Sequence, residues 1–199
     1  MAYNPLAFGL MLVGSGALVA AKFVCKEYTN KLEKTSGKAF GAVFIIFALI
    51  AGIFGFNLYF AETIPAHYTE IYGVGYLLFT MLMLAGGITL YFDWDRRPAS
   101  YLAALGGIIL LNSARTVYTF SMSKSPMATT ATFALAGLGA IGSLLYTHPN
   151  EHPLIKDNMK WITYAGIAIF AVMGLLALYS GLMAQFGHVA RHFAEAAAA

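Results

Sequence analysis

The chain has 199 residues, of which 59% are hydrophobic and only 11% charged, with a formal net charge of +3. A soluble domain carries about 25% charged residues, so this composition excludes a water-soluble fold and makes lipid the solvent. Six spans of about 20 apolar residues, each able to cross a hydrocarbon core of roughly 30 Å, use up almost the whole length. The expected fold is therefore all-α: a six-transmembrane-helix bundle forming a single integral membrane domain, 1–199, with no soluble domain beside it.

Taken in chain order, the first span covers 5–24, opened by Asn4-Pro5, a capping residue followed by a ring preset to helical φ. It lacks a positive leader and is longer than a signal h-region, so it reads as a retained span. The second span covers 39–60 and the third 72–92. After the turn Asp93 to Pro98 the fourth covers 99–120, Ser125-Pro126 opens the fifth at 126–146, and a polar segment from Thr147 to Lys160 leads into the sixth, 161–186.

Nine of the twelve basic residues fall on the first, third and fifth connections: Lys22, Lys26, Lys31, Lys34, Lys38, Arg96, Arg97, Lys156 and Lys160. Only Arg115, Lys124 and Arg191 fall on the other side. The positive-inside rule then sets an N-out, C-out topology in a cell membrane, with multiple passes. Small residues at Gly16-x-x-x-Ala20, Ala51-x-x-x-Gly55 and Ala136-x-x-x-Ala140 offer faces along which helices approach closely. The basic residues form no stripe with interleaved aromatics, which excludes nucleic acid as a partner. The lone Cys25 excludes an internal disulfide.

Arg115 stands out because an ionised group inside a span costs a few kcal/mol unless it finds a partner or water. It shares a helical face with Asn112 and Tyr118, and Asn57, Glu62 and Glu70 are its candidate partners. With Tyr76 they make up a polar cluster that either ties helices together or lines an outward cavity for a polar solute. Tyr72, Tyr76 and Thr80 share one face of the third span, as an aromatic belt or as a vestibule wall. His188 and His192 stand at i, i+4 beyond the last span and His67 lies in a loop on the same side, an arrangement able to ligate a metal. His148 and His152, beside Pro149 and Pro153, read as turn residues. Acidic residues are missing from the spans, which disfavours a proton relay. The absence of phosphate-loop, nucleophile-elbow and H-E-x-x-H motifs disfavours the corresponding enzymes.

Tyr68-Thr69-Glu70-Ile71-Tyr72-Gly73 before an apolar span, then Asp93-x-Asp95-x-Arg97-Pro98-x-Ser100-Tyr101-Leu102-Ala103, then a Gly-Gly-bearing span, resemble an uncharacterised family of small archaeal and bacterial multi-pass membrane proteins, a domain of unknown function. The resemblance covers 39–146 and implies a helical membrane fold without assigning a site. The overall expectation is a non-catalytic accessory subunit of a larger membrane complex, a respiratory assembly being one such host, with the bilayer and other membrane subunits as partners and no cofactor. Two alternatives remain open: a small transporter or channel around Arg115, and a membrane redox protein with a metal ion on His67, His188 and His192.

Overall fold

A computed structural model describes residues 5–29, 31–60, 68–151 and 153–198. Helix α1 runs Pro5–Tyr28 and α2 Lys34–Phe60. A π-helical turn, Thr69–Gly73, leads into α3, Val74–Tyr91. Helix α4 is Arg97–Phe120, α5 Pro126–Thr147, α6 the short Pro153–Asp157, and α7 Met159–Ala198. The prolines at the starts of α4 and α5 occupy first-turn positions, where no intrahelical N–H is needed. Ser121, left-handed at φ 50°, ends α4 and lets the Met122 N–H return to the Val117 carbonyl at 3.1 Å.

Three antiparallel pairs build the bundle: α1 on α7, α2 on α3, and α4 on α5. Each closes on two glycines facing one another. A Cβ on Gly14 would sit 2.7 Å from the Gly174 carbonyl oxygen, and one on Gly174 2.9 Å from that of Gly14. Gly41 and Gly87 block each other in the same way between α2 and α3, as do Gly107 and Gly137 between α4 and α5. Where surrounding lipid is as apolar as the side chains, burial gives helices little reason to associate; close backbone approach with its dispersion contacts supplies the attraction. The small-residue faces expected from spacing contribute less directly. Gly55 lies against Tyr76 and Leu77, while Gly16 meets Phe79 and Met83 rather than a facing backbone.

The pairs join through α5 against α7 and α1 against α2, with α3 touching α4 only lightly. Four helices, α1, α3, α5 and α7, face the interior along their length; α4 adds Ala99, Ser100, Ala103 and Leu110 to its wall, and α2 braces the others from outside, reaching the interior through Phe44. The outer surface is apolar: Ile46, Leu49, Ile53 and Phe56 on α2, and Leu105, Ile108 and Ile109 on α4, are all exposed. Monomeric soluble proteins rarely expose contiguous apolar surface of this extent, and it is compatible with helices that lie in a membrane.

Five helical segments are long and apolar enough to cross a membrane: Leu6–Tyr28, Thr35–Phe60, Thr69–Tyr91, Pro126–Thr147 and Met159–Ala190. Of the six expected spans the exception is the fourth. Helix α4 has the length, 24 residues, but Arg97, Ser100, Asn112, Ser113, Arg115 and Thr116 lower its hydropathy. Three other boundaries move, and the second helix starts at Lys34 rather than Ala39. The first helix continues past Val24 to Tyr28, and the last past Phe186 to Ala198.

Candidate functional site: an apolar cavity with a polar end

Between α1, α3, α5 and α7 lies a cavity of about 1470 Å³, larger than the roughly 300–1,000 Å³ of ordinary small-molecule pockets. On α1 its wall is the stripe Leu6, Leu10, Val13, Ala17, Ala20 and Val24, spaced three or four residues apart, so one whole helix face opens inward. Tyr76, Phe79 and Met83 do the same on α3, and Ile169, Phe170 and Met173 on α7. Four lining glycines, Gly86, Gly142, Gly166 and Gly187, come from three helices, and a Cβ added to any of them would meet nothing within 4 Å. The first three lie within two turns of the lysine-rich ends of their helices, so three helices leave room there at once, while Gly187 lies toward the far mouth.

That end is polar. Glu27, on the last turn of α1, accepts from Arg96 Nη2 at 2.7 Å through Oε1, and from the Tyr146 hydroxyl at 2.7 Å through Oε2. The side chains of the ion pair are 40% and 23% exposed for Arg96 and Glu27, intermediate between a surface bridge and a core one. The Arg96 guanidinium lies over the Phe23 ring, 5.8 Å from its centroid. Burial works against the charge on Arg96, but the hydrogen bond and charge of Glu27 outweigh it, so the group holds its proton more tightly than an ordinary arginine.

Beside this pair the Thr147 hydroxyl reaches Ser100 Oγ at 2.8 Å and the Ser143 carbonyl at 2.9 Å, while Ser100 Oγ donates to the Arg97 carbonyl at 2.8 Å. His148 is buried, with Nδ1 2.9 Å from the Thr147 hydroxyl and 3.0 Å from the Leu144 carbonyl oxygen, and its ring stacks obliquely on Tyr101. His148 is a turn residue as expected, its carbonyl accepting from the Glu151 N–H at 3.3 Å, and its buried ring adds a tertiary role. It locks the end of α5 against α4.

At the far end the tyrosines on α3 and its leading turn act as ties. Tyr72 donates to the Met122 carbonyl at 2.9 Å and Tyr76 to the Leu6 carbonyl at 3.0 Å, and both are buried. Tyr72 lies within the π-helical turn Thr69–Gly73 and Tyr76 in the first turn of the helix that follows it, a local distortion often found where a helix serves a site. Neither ring belongs to an aromatic belt. Thr80 turns away from them, with its methyl beside Gly52 of α2.

The polar cluster expected around Arg115 is not assembled as one site. Arg115, Asn112, Asn57 and Glu70 are exposed on the outside of the bundle, whereas Tyr76 faces inward. Arg115 forms no ion pair with a described residue, Glu70 included. Glu62 and His67 lie outside the described residues, as does the side chain of His192. The metal arrangement on His67, His188 and His192 therefore falls outside them too, and among the described residues no three His, Cys, Asp or Glu side chains converge. His188 lines the far mouth of the cavity.

The residues missed from sequence are Glu27, Arg96, Tyr146, Ser100 and Thr147. One signal did exist for the first: Ala20, Phe23 and Glu27 continue the inward stripe of α1 at helical spacing, so an acidic residue does lie within a span. No curated protein and no solved structure matches the chain. A family model described as a protein of unknown function (DUF981) matches residues 1–191, well beyond the 39–146 over which the resemblance was legible and including both α1 and α7. The chain belongs to that family, DUF981.

Proposed function

We propose that this chain is a six-span membrane protein that holds an apolar, lipid-soluble molecule inside its bundle, as a binding or carrier protein rather than an enzyme. The size and lining of the cavity carry the reading. The space is open to the outside rather than sealed, and its walls are overwhelmingly apolar, with Leu10, Val13, Phe79, Met83 and Phe170 among them. Water wets such walls poorly, and they select a hydrocarbon-rich guest.

In this reading α4 is the sixth span, carried across the bilayer by its glycine contact with α5 despite its polar residues. The lysine-rich end faces the cytosol, with both termini outside a cell membrane. Modification of Lys31 by an impermeant amine reagent added to intact cells would reverse that topology. The binding role is tested by solvent extraction of the purified protein followed by mass spectrometry. Wild type should release one apolar species near stoichiometry, and the cavity-filling double variant Gly142→Leu, Gly166→Leu should release far less. Equal release from both removes the reading.

A second reading, the accessory subunit of a larger assembly, is favoured by one observation. Asn112, Arg115 and Thr119 are exposed on an otherwise apolar face of α4, where lipid cannot satisfy them and a neighbouring protein could. Native electrophoresis in mild detergent should then show a larger species that Arg115→Ala dissociates. A monomer throughout would exclude the subunit role.

A further inference from the structure

We infer that the cluster Glu27, Arg96 and Tyr146 receives the head of the bound molecule, and that this head is an uncharged hydrogen-bond acceptor such as a ketone or ester oxygen on a long hydrocarbon chain. This rests on reading the cavity as a ligand site and adds which end of the ligand goes where. Arg96, Ser100, Tyr146 and Thr147 all line the cavity at its lysine-rich end, the end at which Gly86, Gly142 and Gly166 face open space.

The donors there are largely spoken for. The Tyr146 hydroxyl proton goes to Glu27, that of Ser100 to the Arg97 carbonyl, and that of Thr147 to Ser143 or Ser100. A guanidinium has five N–H groups; Glu27 takes Nη2 of Arg96 in the ion pair, and Asp93 adds a second negative charge nearby. Arg96 therefore supplies the donors that remain, and the ligand must accept.

Charge narrows the head further. Glu27 already balances Arg96, so a carboxylate or phosphate brought into this partly dry site would enter as an unmatched anion. A neutral oxygen adds no charge. At the far end Ser123 and Thr129 bond each other at 2.9 Å and the Ser125 N–H takes the Ser123 oxygen at 3.1 Å, while Lys124 and His188, which also line the cavity there, sit at its mouth, Lys124 exposed and His188 half-buried. From Tyr146 to Thr129, α5 rises about 25 Å at 1.5 Å per residue, which sets the chain length: a fatty or isoprenoid tail rather than a small hydrocarbon.

The test uses the full-length protein in detergent with methyl parinarate as the bound fluorescent probe, excited by energy transfer from Trp94 and Trp161. Its competitors are methyl palmitate, palmitate and heptadecane. Methyl palmitate should displace the probe about tenfold better than heptadecane, as expected for one hydrogen bond to a charged donor, and palmitate no better than heptadecane. In the double variant Glu27→Gln, Arg96→Gln, which leaves neither charge unmatched, the advantage of the ester should vanish while heptadecane still binds, the latter showing that the fold is intact. Should that variant fail to purify, Arg96→Lys carries the same test, since it keeps the ion pair but loses the guanidinium fork, and the ester's advantage should shrink. Equal displacement by ester and alkane in wild type, with both lost in Gly142→Leu, Gly166→Leu, would overturn the head assignment and leave the cavity reading standing. Tighter binding of palmitate than of its ester would overturn the uncharged head. No saturable displacement by any of the three would overturn the cavity reading itself.

Discussion

Glycine does opposite things in two regions of this bundle. Along the helix seams Gly14, Gly41, Gly87, Gly107, Gly137 and Gly174 bring backbones so close that a single added carbon would strike a carbonyl oxygen. At the lysine-rich end Gly86, Gly142 and Gly166 face open space, and a carbon added there would strike nothing. In the first region the missing side chain creates contact; in the second it creates room. One set makes a rigid frame in lipid, and the other leaves a void within the frame.

Substitutions at the two sets should therefore diverge, and the widest effect belongs to the seams. Gly107→Leu forces a branched side chain into the Gly137 carbonyl, which cannot yield as a flexible side chain would. The expected loss exceeds about 3 kcal/mol, read as failure to recover monodisperse protein after mild heating in detergent. Glu27→Gln comes next. It weakens the bond to Arg96 and leaves a partly buried cation without its counter-charge, for about 1–2 kcal/mol after allowing for partial exposure, measured by thermal denaturation. Tyr72→Phe removes one buried hydrogen bond to the turn between α4 and α5 and should cost about 1 kcal/mol. Gly142→Leu should change stability least, within about 0.5 kcal/mol or in the stabilising direction, since it fills space and trades a poor helix former for a good one. Were Gly142→Leu as damaging as Gly107→Leu, the contrast between seam and void would be false.

Much of the frame was legible in the residues. Pro5, Pro126 and the polar breaks around Asp93 and Ser125 set the helix starts within a residue or two, because capping and proline chemistry act locally. Which glycines close the seams was not legible. Gly16 and Gly107 both lie in apolar helices among small neighbours, and only the partner across the gap separates them. The polar end was hidden for a related reason. Glu27 sits among Lys22, Lys26 and Lys31, which reads as a solvated connection, and Arg96 belongs to a turn whose charge served the topology argument. Their meeting with Tyr146, 119 residues on from Glu27, is a tertiary fact. Arg115 misled in the opposite sense. A lone cation in a span commands notice on energetic grounds, yet it faces outward, six residues or fewer from the end of its helix and within snorkelling reach of water.

The account depends on the interior being a cavity that takes a guest, and one titration addresses it directly. Methyl parinarate added to wild type and to Gly142→Leu, Gly166→Leu, with energy transfer from the tryptophans as the signal, should show a saturable component in wild type. The filled variant, equally stable, should lose it. Identical, non-saturating curves for the two proteins, indistinguishable from partition into the detergent, would contradict the central claim.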